Sequence, residues 1–282
     1  MARIAYGEAL HHADPVHICR IRLRPPLRSP QVTTISAKTR SGRSDWLIPA
    51  MLILLSLVPA VFGTVRLVEL AGGAVITPAN TRFLASPFPV ALHILVVIPY
   101  GIVGAFQFAP SFRRRRRDWH RAAGRVLALL GLAAALTGLW MTLAYPWPEG
   151  DGEVLYVTRL VFGSAMAVSI VLAIRAIRRG DFRSHGAWMM RGYAIGLGAG
   201  TQVLTHLPWF ILVGNPGEAS RAVLMGAGWV INLLVAEWII RRRPSHRDVR
   251  ASAAGVRAPD GVLSPALEWD HRREAQRSER AP

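Results

Sequence analysis

Six stretches of this chain are long enough and apolar enough to cross a lipid bilayer, and no other feature limits its fold as much. They cover residues 46–70, 88–108, 122–144, 154–177, 187–213 and 222–240. At about 1.5 Å rise per residue, about 20 residues cross a hydrocarbon core of about 30 Å. Buried helices of a soluble domain usually keep a polar edge. These runs mostly lack one. The pattern predicts an all-α fold, a six-helix transmembrane bundle occupying residues 46–243. Residues 1–45 and 244–282 are polar and basic and are expected to be disordered tails. The first of them has no apolar core of the kind a cleavable secretory signal needs. Within the first run, Pro49 falls in the opening turn, where proline is tolerated, and Pro59 is expected to kink the middle.

The net charge is +17, from 34 basic and 17 acidic residues. Such an excess is compatible with nucleic acid, but its distribution argues against that partner, because the basic residues sit in the tails and between the apolar runs. Two connections are strongly basic, one holding Arg113 to Arg117 with Arg121, the other Arg175, Arg178, Arg179 and Arg183. The alternate connections are acidic or near neutral, with Glu149, Asp151, Glu153 and Glu218. The positive-inside rule then places both basic loops and both termini in the cytoplasm of an inner (plasma) membrane protein. The expected partners are the bilayer and its anionic headgroups at the arginine loops. Tryptophans 46, 119, 140, 147, 188, 209 and 238 fall near the predicted interfaces, as an aromatic belt requires. Lys38 is the only lysine, which suggests a GC-rich bacterial genome. Cys19 is the only cysteine, so no intramolecular disulfide forms and no C-x-x-C-H haem attachment exists. Near it lie His11, His12 and His17, whose spacing matches no standard metal site and reads as a solvated tail.

Lipid gives helices little hydrophobic reason to associate, so small residues mark close approach. Gly124, Gly131 and Gly138 recur every seven residues in the third run, and Gly192, Gly196 and Gly200 every four in the fifth. The second run adds Gly101 and Gly104. Runs two, three and five are therefore expected to form the packed interior, with the first run peripheral.

Ionisable groups inside a membrane are costly and are functional candidates by default. His93 and His206 lie at similar depth below the acidic-loop side, and His120 and His185 stand just before runs three and five at the arginine-rich side. His185, Gly192, Ala199 and His206 are spaced by seven along one face of run five. Small residues between two histidines suit a flat macrocycle, and paired imidazoles hold haem iron in helical bundles. The four histidines are thus candidate ligands of haem b, for transmembrane electron transfer. Structural roles stand beside that reading. His206 precedes Pro208, which leaves the Leu204 carbonyl without its amide, and the imidazole is placed to satisfy that backbone. Gln107, Arg125, Arg191, Asn232 and Glu237 form the remaining polar network considered. Asn232 is placed to bond between helices, and Glu237 to pair with an arginine. A permease for small solutes or lipids would line a cytoplasmic cavity with Arg125, Arg191 and Glu237. A third possibility is a membrane scaffold. No Walker loop, G-x-S-x-G, H-E-x-x-H or Rossmann pattern is present, so no catalytic residue is named.

Three segments carry a family resemblance: LHILVVIPYGIVGAFQFAPSFRRRRRDWHRAAGR, FRSHGAWMMRGYAIGLGAGTQ and GWVINLLVAEWIIRRR. They resemble the domain-of-unknown-function 2306 family of predicted bacterial membrane proteins. That family shows a helix-borne histidine followed by Gln-Phe, then H-R-x-x-G-R and H-x-x-W-M-x-R boxes at helix starts. The matching residues are His93, Gln107 and Phe108; His120, Arg121, Gly124 and Arg125; and His185, Trp188, Met189 and Arg191. The resemblance covers about residues 46–243 and implies a multi-pass membrane protein. Many members carry arginine at the position of His206, which sets this chain's THLPW segment apart and weakens a shared outer haem pair.

Overall fold

A computed structural model describes residues 44–78 and 80–242. The tails, with the His11, His12, His17 and Cys19 cluster, lie outside the described residues. Among those described, every regular element is helical. Helix α1 runs Ser44–Gly72, α2 Thr81–Ala85, α3 Pro87–Ala105, α4 Pro110–Arg115 and α5 Arg117–Ala144. They are followed by α6 Glu153–Arg178, α7 Phe182–Gly196, α8 Gly198–Leu212 and α9 Glu218–Arg241. A single 3-10 turn, Phe106–Phe108, extends α3.

Five helices are long and apolar enough to cross a membrane, namely α1, α3 with its 3-10 turn, α5, α6 and α9. The predicted fifth run is not one helix. It is two helices of 15 residues each, α7 and α8, joined at Leu197. Each is about 22 Å long, short of a hydrocarbon core of about 30 Å. Gly196 and Gly198 flank the break, and each glycine weakens a helix by about 1 kcal/mol relative to alanine. Asn232 of α9 holds both sides together. Its amide donates to the Ala194 carbonyl in the last turn of α7 (3.0 Å), and its oxygen accepts from Thr201 in the first turn of α8 (2.7 Å). The interhelical bond expected of Asn232 is thus made, and made at the break.

Helix α1 continues through Pro49 and Pro59 without interruption. Proline at 59 removes the N–H that would meet the Leu55 carbonyl one turn earlier. Gly200 of α8 rests against that same carbonyl, so closely that a Cβ there would stand 2.0 Å from the oxygen. Helices α1 and α8 therefore meet backbone to backbone.

The α5 glycines all face α3. Gly124 lies by the Gln107 amide oxygen, Gly131 under the Tyr100 ring and Gly138 by the His93 ring. The α7–α8 glycines spread over three neighbours, with Gly192 against Ile170, Gly196 against Tyr100 and Met166, and Gly200 against Leu55. Of the apolar window of α3, 44% is buried, against 6% for α1, so α3 is central and α1 presents its outer face to lipid. Met51, Leu54, Phe62 and Val65 are among the exposed side chains on α1.

Candidate functional site

The connection between α5 and α6 is the acidic loop of the sequence, with Glu149, Asp151 and Glu153. It is anchored. The Asp151 side chain is 2% exposed and is clasped by two arginines. Arg159 of α6 donates from Nη1 at 2.5 Å, and Arg221 of α9 brings Nε to 2.8 Å of the other oxygen. Glu218 of α9 packs on the neighbouring Gly152, so a second carboxylate lies beside these two cations. Burying Asp151 between them is tolerable because a desolvated carboxylate needs such partners.

Helix α2 lies at the same end. Its Phe83 ring is covered by the guanidinium groups of Arg82 (4.5 Å) and Arg66 (4.8 Å), and meets Tyr145 edge-on at 5.6 Å. Tyr145 in turn donates to the Ser86 carbonyl at 2.6 Å and accepts from the Val90 amide at 3.3 Å. Arg66 is paired with Glu69 at 2.5 Å. Arg82 makes no ion pair among the described residues, and its Nε is buried without a hydrogen-bond partner. Burial holds the Arg82 guanidinium below its ordinary range. Asp151 opposes that shift, and the like charges of Arg159, Arg221 and Arg66 add to it. This cation therefore lacks the counter-charge that its neighbours have.

Below these arginines a cavity of about 460 Å³ runs into the bundle. Its mouth carries Arg82, Asp151, Arg159, Trp147 and Tyr156. Its walls are mostly apolar or glycine, including Gly63, Ile94, Val97, Gly138, Gly163 and Met166, and it ends at the α7–α8 break with Gly196 and Leu197. Its walls also carry the polar side chains Ser56, His93, Thr142 and Gln202. His93 Nδ1 lies 3.0 Å from Thr137 Oγ1 of α5. The Gln202 amide donates to the Met225 carbonyl at 3.1 Å.

Of the four candidate haem ligands, His93 alone lines this cavity. His206 turns back along its own helix, its Nδ1 2.7 Å from the Gln202 carbonyl. The carbonyl it serves is thus Gln202's and not Leu204's, because a helical side chain leans toward the preceding turn. His120 and His185 do not precede their helices. Each is the fourth residue of one, α5 and α7 respectively. Asp181 caps α7 by accepting from the Ser184 amide at 2.9 Å, which starts that helix early. His185 Nδ1 is engaged by the Ala173 carbonyl of α6 at 3.0 Å. His120 Nδ1 and Gln107 Nε2 are buried without partners. Among the described residues no group of three or more His, Cys, Asp or Glu side chains is placed to hold a metal ion.

The arginine-rich end carries the other expected residues. Arg191 and Glu237 form a two-point pair, at 2.5 and 3.1 Å, and the Arg191 guanidinium also lies 4.5 Å over the Trp188 ring. Arg125 is exposed and makes no ion pair among the described residues. None of these three lines the cavity. The site's decisive residues, Arg82, Asp151 and Arg159, were not among the candidates. Arg159 carried a readable signal, since it is a charge two turns inside an apolar run. Arg82 and Asp151 lie in connections, where no periodicity reports burial.

The family model described as "Predicted membrane protein (DUF2306)" matches residues 90–240, which take in α5 to α9 and nearly all of α3. No curated protein and no solved structure matches the chain.

Proposed function

The chain belongs to the DUF2306 family of predicted membrane proteins, and on that footing we propose that it binds an amphipathic anion in the cavity beneath Arg82. The observation that carries this reading is one continuous space with an uncompensated arginine at its mouth and an apolar interior. Its volume is in the range of small-molecule pockets, about 300–1,000 Å³. A carboxylate or phosphate would accept from the guanidinium donors that Arg82 presents to the cavity, a charge-assisted contact. The apolar part would replace water along Gly63, Val97, Gly138 and Gly163. By the positive-inside rule the arginine loops face the cytoplasm, so the cavity opens on the opposite side of the inner membrane. The function is lipid handling of the permease class, with its binding site in that outer half and not among Arg125, Arg191 and Glu237. Haem b is not part of this reading, since a haem between His93 and His206 needs both imidazoles to face one space.

The test compares dodecanoate with dodecanol on the full chain in neutral detergent, with Arg82→Ala beside the wild type. Loss of a charge-assisted hydrogen bond of about 1.5–3 kcal/mol weakens binding about 10- to 150-fold. Dodecanoate should lose that affinity in Arg82→Ala, and dodecanol should bind both proteins alike. Equal binding of acid and alcohol by the wild type would refute the proposal. Native mass spectrometry separates the two sources of such an anion. A co-purifying phosphatidylglycerol displaced by dodecanoate identifies a bilayer headgroup, and an empty protein that takes up dodecanoate identifies a free acid.

A further inference from the structure

Resting on that reading, we infer that the apolar part of the ligand carries a hydrogen-bond donor, a hydroxyl in the simplest case, which His93 Nε2 receives. The inference follows from how the His93–Thr137 pair distributes its hydrogens. Thr137 Oγ1 donates its single hydrogen to the carbonyl of Ala133 (2.7 Å) or Ala134 (3.1 Å) of its own helix. A hydroxyl so committed can only accept from His93, 3.0 Å away. His93 Nδ1 is therefore the protonated nitrogen. No carboxylate bonds the ring among the described residues, and an uncompensated charge inside a membrane is expensive. The ring is then neutral, and Nε2 is a lone-pair acceptor without a partner among the described residues. The ring edge lies against Gly138, at 3.5 Å from where a Cβ would stand, in the wall of the cavity.

The same accounting extends to the other groups. The Ser56 hydroxyl donates to the Leu52 carbonyl (2.9 Å), that of Thr142 to Gly138 (2.8 Å) and that of Tyr145 to Ser86 (2.6 Å). The Gln202 amide gives one of its two hydrogens to Met225 at 3.1 Å. The Trp229 indole nitrogen packs on Gly198, and Tyr156 sits at the mouth beside Trp147. A plain hydrocarbon chain would leave His93 Nε2 desolvated and unbonded, at a cost in affinity. A ligand with a donor at that depth removes the cost. Sites built to bond a hydroxyl discriminate strongly against the analogue that lacks it.

The experiment uses the full chain in neutral detergent, with 11-bromoundecanoate as a quencher of tryptophan fluorescence, since Trp147 and Trp229 line the cavity. Dodecanoate and a positional series of monohydroxydodecanoates compete for it. At least one hydroxyl position should displace the quencher at about tenfold lower concentration than dodecanoate. His93→Phe should abolish that preference, so that every hydroxyl isomer competes like dodecanoate. The positional scan on the wild type stands whether or not the variant folds. A flat scan overturns the inference and leaves the Arg82 reading intact. A preference that survives His93→Phe overturns the role of His93. If 11-bromoundecanoate and dodecanoate do not bind at all, the underlying reading fails and takes this inference with it.

Discussion

Replacing Gly200 by alanine tests the contact on which the bundle's least expected packing depends. A Cβ at 200 would stand 2.0 Å from the Leu55 oxygen, 2.8 Å from its Cγ and 2.9 Å from its carbonyl carbon. Real Cβ contacts are not found under 3.0 Å, so α1 and α8 must part by about 1 Å. Neither partner can turn aside, because the oxygen and the carbonyl carbon belong to a continuous helix. The separation would also pull Ser56 and Pro59 away from Ala199 at the cavity wall. Overpacking costs about 1–3 kcal/mol, and backbone against backbone belongs at the upper end. Alanine returns about 1 kcal/mol of helix propensity, which leaves a net loss of about 1–2 kcal/mol. For a chain of this size that is roughly 2–8 °C in Tm. Gly226 of α9 is the control, since a Cβ there meets only Thr158, at 3.9 Å. Thermal unfolding in detergent, followed by tryptophan fluorescence, should show Gly200→Ala melting below the wild type and Gly226→Ala at or above it. If both variants melt alike, the glycine spacing in run five is composition and carries no packing information.

Asn232→Ala removes both bonds across the α7–α8 break. It should cost about 0.6–1.7 kcal/mol, the measured range for membrane interhelical bonds, and should speed amide exchange around Leu197. Glu237→Gln leaves Arg191 with a neutral acceptor. Both side chains keep a quarter to a third of their accessibility, 24% and 32%, so the loss is about 1 kcal/mol, below the figure for a fully buried pair. That variant should leave dodecanoate binding unchanged, because the pair lies off the cavity. Protein expressed with ample haem should show no Soret band after purification. A band lost in His93→Ala or His206→Ala would restore the paired-histidine reading and displace the amphipathic anion.

The apolar runs carried most of the fold. Five of the six expected spans exist as helices whose ends shift by a few residues, because burial in lipid demands long uninterrupted helices regardless of tertiary detail. The break at Leu197 was not legible. Gly192, Gly196 and Gly200 read equally well as a packing stripe and as a weak point, and the choice is made by Asn232, which lies 35 residues beyond Leu197 on another helix. The site divides in the same way. His93 stood out as an ionisable residue within an apolar run. That Thr137 is its partner was not legible, since a pairing across helices depends on their rotation about their axes. Arg82 was hidden by its position in a five-residue helix, which is held by the contact of Phe83 with Tyr145 and is too short for periodicity to report.

The cavity occupies one half of the bundle for a reason that the glycines supply. Toward the arginine-rich end, small residues receive aromatic rings. Gly131 and Gly196 take Tyr100, and Gly104 takes Tyr193. Those two rings lie 5.6 Å apart, and Phe108 closes on Tyr193 at 4.8 Å. The Tyr193 hydroxyl is tied to the Gly101 carbonyl at 2.6 Å. Toward the acidic-loop end, Gly63 and Gly163 meet the aliphatic side chains of Ile94 and Leu139, Gly138 meets only the edge of the His93 ring, and the cavity runs beside them. The lining stops at Gly101, Ala134 and Met166, directly before the aromatic plug. As it stands, then, the cavity is closed at this end. Passage through it would require Tyr193 to leave the Gly104 recess and give up its bond to Gly101. Tyr193 lies one turn before the Leu197 break, so any opening of the plug must work against the Asn232 bonds that hold α7 to α8.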